Sequence, residues 1–250
     1  MTSKPALAQW PAMGKPITPS PTKATFVIVL SLSEGRRTPR APCVRLVLFC
    51  GGPAMSDASC HALDLPALPD EALGKDLAKY FGKCREKLGF VPNVLQAYAF
   101  NAEKLSAFIT FYNDLMLADS PLSKLEREMI AVVVSSKNHC YYCLASHGAA
   151  VRELSGDPLL GEQLAMNYRA ADLSPKHKAM LAFAEQLTLA PDSMDDDDRA
   201  NLREAGFSER AIWDIAAVAA FFNMTNRLAA AIELRPNDEY HYQARSAPKK

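Results

Sequence analysis

Apolar residues recur at three- and four-residue spacings from Asp70 onward. Leu73, Leu77, Tyr80, Phe81, Cys84 and Leu88 would form one helical stripe, and Gly89 stands where that helix should stop. The same periodicity predicts helices over 92–99, 102–117, 123–136, 138–154, 157–168, 174–189, 194–205 and 208–234. Turn and helix-start chemistry separates them at Asp119-Ser120-Pro121, Ser155-Gly156-Asp157-Pro158, Ser174-Pro175 and Pro191. Val132, Val133 and Val134 are the one β-like patch, yet Leu125, Met129 and Val132 keep helical spacing around them, so burial within a helix is expected to prevail. The fold class is all-α.

The first part of the chain reads differently. Residues 1–54 are rich in Pro, Ser, Thr and Arg and follow neither period, which predicts a disordered extension ahead of a helical domain over 55–250. Met55 is read as the physiological start. The apolar runs within the extension, Phe26 to Leu30 and Val44 to Phe49, are too short to span a bilayer. The prolines crowded near the start argue against a secretory leader. A cytoplasmic location is expected.

Sliding the chain by 85 positions lays 121–138 over 206–223. Ser123/Ser208, Ile130/Ile215, Ala131/Ala216, Val133/Val218 and Asn138/Asn223 then coincide, and Ala97-Tyr98-Ala99 falls over Ala182-Phe183-Ala184. An internal duplication of helical halves is expected. Cys140 and Cys143 then face Thr225 and Leu228, which restricts thiol chemistry to the first copy.

With 28 basic and 28 acidic residues the formal net charge is zero, so nothing favours nucleic acid or an anionic membrane. Of the six cysteines, only Cys140 and Cys143 are spaced as a motif, and the others do not read as a secreted disulfide framework. On a helix His147 lies about 40° past Cys143 and about 20° from Cys140, so the three share a face. With Asn138 as the expected N-cap, Cys140 would sit in the first turn, where the helix dipole favours a thiolate. An i,i+4 imidazole instead favours Cys143 as the attacking sulfur. Glu128 on the preceding helix could orient His147 as the third member of a triad. The ordinary readings are two buried structural thiols, a zinc site built on Cys140, Cys143 and His147, and, for Lys124-Leu-Glu-Arg-Glu128, a solvated helix face. The acidic run Asp195 to Asp198 lacks the spacing of a calcium loop and is read as a solvated helix cap.

Glu128, eleven residues, Cys140-Tyr141-Tyr142-Cys143, three residues and His147 together resemble the signature of AhpD-like alkylhydroperoxidases in the carboxymuconolactone decarboxylase superfamily. The segments 122–131, Asn138-His139-Cys140 and Asn223-Met-Thr-Asn-Arg227 are similar to its peroxidase-related branch, and the resemblance covers 63–240. It implies an oligomeric helical bundle that reduces hydroperoxides without a cofactor or metal. Cys143 would attack the peroxide, Cys140 would resolve the sulfenic acid as a disulfide, and a thiol or lipoyl-bearing donor would reset the pair. Tyr142, Asn223, Asn226 and Arg227 are taken as further cleft residues. One position departs from the pattern: Tyr142 stands where some members carry a histidine. Two alternatives stay open, a redox sensor that switches oligomer state and a decarboxylase-like enzyme on the same scaffold.

Overall fold

The computed structural model describes residues 59–246; the expected extension 1–54 and the start at Met55 lie outside them. Nine α-helices occur among the described residues: α1 (Lys75–Leu88), α2 (Asn93–Tyr98), α3 (Ala102–Leu117), α4 (Lys124–Lys137), α5 (Tyr141–Ser155), α6 (Leu160–Asn167), α7 (Pro175–Leu189), α8 (Asp196–Glu204) and α9 (Glu209–Ala231). No strand occurs among them. None of these helices is long and apolar enough to cross a membrane.

Local chemistry sets most of the helix starts. Asn101, Ser123, Ser174, Asp195 and Ser208 each accept a hydrogen bond from a backbone N–H of the turn they precede. Ser123 with Glu126, and Asp195 with Asp198, close reciprocal capping boxes, which gives the acidic run its structural role. Gly89 ends α1 in the left-handed conformation.

The bundle is organised around α4, which packs on α5, α6, α7 and α9. Met129 through Val134 have no solvent exposure at all, so the valine run is overridden by burial on every side. The charged stretch before it is solvated only at its start, where Lys124 is exposed. Arg127 and Glu128 are buried, because a helix surrounded by neighbours has little surface left for polar residues. Arg127 donates to the carbonyls of Leu115 and Ala118, at 3.1 and 2.9 Å, and so satisfies carbonyls at the end of α3.

The helices paired by the 85-residue offset, α4 and α9, lie against each other, and the serines that coincide under it cap both. Asn138 Nδ2 donates to Asn223 Oδ1 at 3.0 Å, so this superposed pair meets in space. α9 continues to Ala231 where its counterpart breaks at Lys137. At Gly161 the backbones of α5 and α6 come so close that a Cβ would lie 2.7 Å from the Gly148 carbonyl oxygen.

A buried ion cluster joins α4 and α7 to the turn that follows α6. Glu185 accepts from Lys137 at 2.8 Å, from the Tyr168 hydroxyl at 2.7 Å and from Arg169. Burial alone would raise the Glu185 carboxyl, but these donors outweigh it and hold the group at about 2. A carboxyl depressed in the folded state stabilises the fold above its unfolded value, and that contribution fades as pH falls from about 4.3 toward 2. Glu185→Gln is therefore expected to lower stability by about 2–3 kcal/mol at pH 7, with the gap to the wild type closing near pH 2; thermal melts across that range measure it.

Candidate active site

The position of the two thiols is set by how α4 ends. The Cys140 N–H donates to the Ser135 carbonyl at 2.9 Å and the His139 N–H to Ser136 at 3.2 Å, the paired bonds of a Schellman closure. His139 occupies its left-handed position with φ 53°, where glycine is the usual residue. Asn138 thus caps the end of α4 and not the start of α5 as expected, because the closure absorbs it into the α4 terminus. Cys140 is itself the N-cap of α5, one residue ahead of the first turn.

Cys140 and Cys143 are free thiols, both buried. The neighbouring Cys143 thiol is the main influence that brings the Cys140 thiol down to about 7 despite burial. The Cys143 backbone N–H, the charge of His147 and the Asn226 side chain act in the same direction. Cys143 is driven the other way, well above the usual thiol range, by its bond to Cys140, by burial and by repulsion from the Cys140 thiolate.

A polar network backs the sulfurs from α9. The Asn226 amide, 1% exposed, donates to Ser135 Oγ at 3.0 Å and accepts from Asn138 Nδ2 at 3.0 Å. The Asn226 amide favours the ionised form of both thiols, and Ser135 favours that of Cys143. The Asn223 amide donates to Thr188 Oγ1 at 3.0 Å and its oxygen accepts from Arg227 at 2.8 Å. Asn226 therefore touches the reactive pair, Asn223 supports it through Asn138, and the exposed Arg227 stays outside it.

His147 follows one turn after Cys143. Its Nδ1 lies 2.6 Å from Glu128 Oε2, and its ring meets Phe222 edge to face at 4.6 Å. With Nδ1 committed to the carboxylate, Nε2 is the ring atom available for proton exchange. Both side chains are about nine-tenths buried.

These residues open onto a cavity of about 260 Å³ lined by Cys143, His147 and Glu128 but not by Cys140. The sulfur that lines the cavity and the more acidic sulfur are thus different atoms. Tyr142 lines the cavity while its hydroxyl accepts from the Val94 N–H at 3.1 Å. Most of the wall is apolar and comes from α1, α2, α3 and α9. Sequence reasoning missed Ser135, whose only signal is a hydroxyl in an otherwise apolar run, and Tyr112, which looks like one more aromatic in the α3 stripe. No group of three or more His, Cys, Asp or Glu side chains among the described residues is arranged to hold a metal ion.

Residues 102–186, from α3 through most of α7, match the carboxymuconolactone decarboxylase family model. The chain is 58% identical to a peroxidase-related protein from Silicibacter sp. TM1040, over 78% of this chain and all of that one, with a TM-score of 0.73. A peroxidase-related protein from Ralstonia eutropha JMP134, described as an alkylhydroperoxidase AhpD core, is 39% identical over 76% of this chain and 98% of its own, with a TM-score of 0.72. YdfG from Bacillus subtilis (strain 168) is 25% identical over 114 residues, 45% of this chain and 77% of that protein.

The thiol contact predicts a measurable shift. In Cys143→Ala the Cys140 sulfur loses its principal donor, and its pH midpoint for alkylation should rise from about 7 toward the ordinary thiol value of about 8.5. Asn226→Leu should move it in the same direction by less. An unchanged midpoint in Cys143→Ala would refute the shared-proton description.

Proposed function

The chain belongs to the AhpD-like carboxymuconolactone decarboxylase superfamily, and from that premise we propose that it is a thiol oxidoreductase that reduces hydroperoxides through Cys143 and Cys140. The observation that carries this reading is the arrangement of a buried dithiol with an acidic member, Cys140, and a cavity-facing member, Cys143, beside a Glu128–His147 pair.

The reaction begins with ionisation of Cys140, whose proton His147 receives at Nε2 while Glu128 holds the imidazolium. The Cys143 proton then passes along the S–H···S contact to Cys140, leaving the thiolate on the sulfur that faces the cavity. Cys143 attacks the terminal peroxide oxygen; the S–O bond forms, the O–O bond breaks, and the departing alkoxide takes the proton from His147. Cys140 attacks the sulfenic acid, a disulfide forms, and the hydroxyl leaves as water with the Cys140 proton. The peroxide gains two electrons and the thiol pair loses two. An external dithiol, of free or lipoyl type, restores the pair by exchange.

A decarboxylase-like role on a carboxylate-bearing lactone is less well supported, since neither lysine nor arginine lines the cavity and two glutamates do. Trp213, Met224 and Leu228, apolar residues that α9 leaves exposed, favour assembly with further copies of the chain.

The test is peroxide consumption in the presence of a dithiol. Turnover is expected in the wild type and abolished in both Cys143→Ser and Cys140→Ser, with Glu128→Gln reduced on the order of 100-fold through loss of proton transfer. Activity that survives either cysteine substitution rejects the mechanism, and a disulfide that forms without turnover would identify a redox sensor instead.

A further inference from the structure

Beyond α9 the chain runs back across α5 as an irregular segment, Asn237–Arg245, that holds one short helical turn, Asp238–His241. It straddles α5. Tyr240 and Gln243 line the cavity, on the side of Cys143 and His147. His241 and Arg245 reach the other side, where His241 Nε2 pairs with the Tyr141 hydroxyl at 2.9 Å and Arg245 forms an ion pair with Glu162. On a helix Tyr141 and Arg152 fall about 160° and 180° from Cys143, so the segment grips the helix from its far face.

Arg152 fastens the two together. Its side chain is 3% exposed; Nε donates to the Gln243 carbonyl at 3.0 Å and Nη2 to the Tyr240 carbonyl at 2.8 Å, while Glu162 lies 3.5 Å from Nη1. One planar fork thus fixes the backbone of both cavity-lining residues. Burial, then the charge of Arg245, works against the Arg152 cation, and Glu162 offsets part of that. A buried guanidinium is costly unless it is well bonded, and the short bonds of this one go to the carbonyls of a single irregular segment. Near its start the segment is tied elsewhere: Asn237 accepts from the Asn93 N–H at 2.8 Å, and the Tyr240 ring meets Phe90 edge to face at 5.1 Å.

We propose that Arg152 is a positioning residue and that Asn237–Arg245 is the wall that limits what reaches Cys143, with Arg152 fixing the Tyr240 and Gln243 backbone against α5 so that their side chains set the width of the cavity. The inference rests on Cys143 as the sulfur that meets the substrate. The walls from α1, α2, α3 and α9 are held by their own helical hydrogen bonds, whereas this one takes its place from a side chain on the helix that carries Cys143 and His147. A small displacement of such a wall changes access without touching the reacting groups.

The experiment measures alkylation of Cys143 in a Cys140→Ser background, with iodoacetamide and the bulkier N-benzyliodoacetamide, by mass spectrometry of the peptide that bears Cys143. Both reagents lose iodide to the same sulfur, so the ratio of their rates cancels the thiol pKa and reads access. Arg152→Met should raise the benzyl-to-parent ratio by at least about tenfold. Arg152→Lys should raise it less, since an ammonium keeps the charge but not the fork. Gln243→Ala, which leaves the bond from Arg152 to the backbone carbonyl in place, should raise it as well. Thermal melts followed by circular dichroism accompany each variant. An unchanged ratio in Gln243→Ala overturns the segment as the limiting wall. A ratio raised there but unchanged in both Arg152 variants, or loss of the cooperative melt in both, overturns the positioning role. With dithiothreitol as reductant, the same variants with Cys140 restored should shift kcat/KM toward cumene hydroperoxide over hydrogen peroxide, mainly through KM. A wild type inactive on both peroxides overturns the peroxidase reading, while the alkylation ratio still decides the wall.

Discussion

The electrostatic coupling between two buried neighbouring thiols is the interaction on which the site depends. A buried sulfur resists ionisation, and two neighbouring sulfurs resist being ionised together. The contact between Cys143 and Cys140 answers both constraints by letting one proton serve two atoms, so that Cys140 becomes acidic while Cys143 becomes correspondingly reluctant. The acid lies at the helix terminus and the proposed nucleophile lies at the cavity, one short proton transfer apart.

That contact exists because of a backbone feature. The Schellman closure at Ser135–Cys140 reverses the chain within a few residues and makes Cys140 both the last residue of one turn and the cap of the next helix. His139 accepts a left-handed conformation to permit it. The α9 side of the site then completes the environment: Asn226 reaches both sulfurs, and Asn138 ties it back to the α4 terminus. α9, which the 85-residue offset pairs with α4, runs unbroken past the point where α4 ends and supplies the amides of Asn223 and Asn226 to Asn138 at that end.

The cavity extends the same principle from sulfur to substrate. Its polar groups are mostly already paired with one another, its walls are aromatic, and its formal charge is carried by glutamates alone. Such a lining selects by what it lacks as much as by what it offers. With Glu128 and Glu153 in the lining and no lysine or arginine there, an anionic occupant would meet like charge and no counter-ion.

The helices and their caps were legible in the chain because periodicity and capping are local: Ser123, Ser174 and Ser208 mark helix starts by the same few neighbours in sequence and in space. The motif from Glu128 to His147 was legible for the same reason, as helical spacing places Cys143 and His147 on one face. Asn138 misled, since an asparagine before a helix resembles a cap whether it closes the helix behind it or opens the one ahead. The burial of Arg127 and Glu128 was hidden too, because a charged stretch looks solvated until the neighbours that surround α4 are known. Tertiary structure alone decided which sulfur is acidic, which one meets the cavity, and that Asn226, Ser135 and Tyr112 belong to the site. Those properties arise from contacts between residues as much as 91 positions apart, and no local pattern encodes the distance between them.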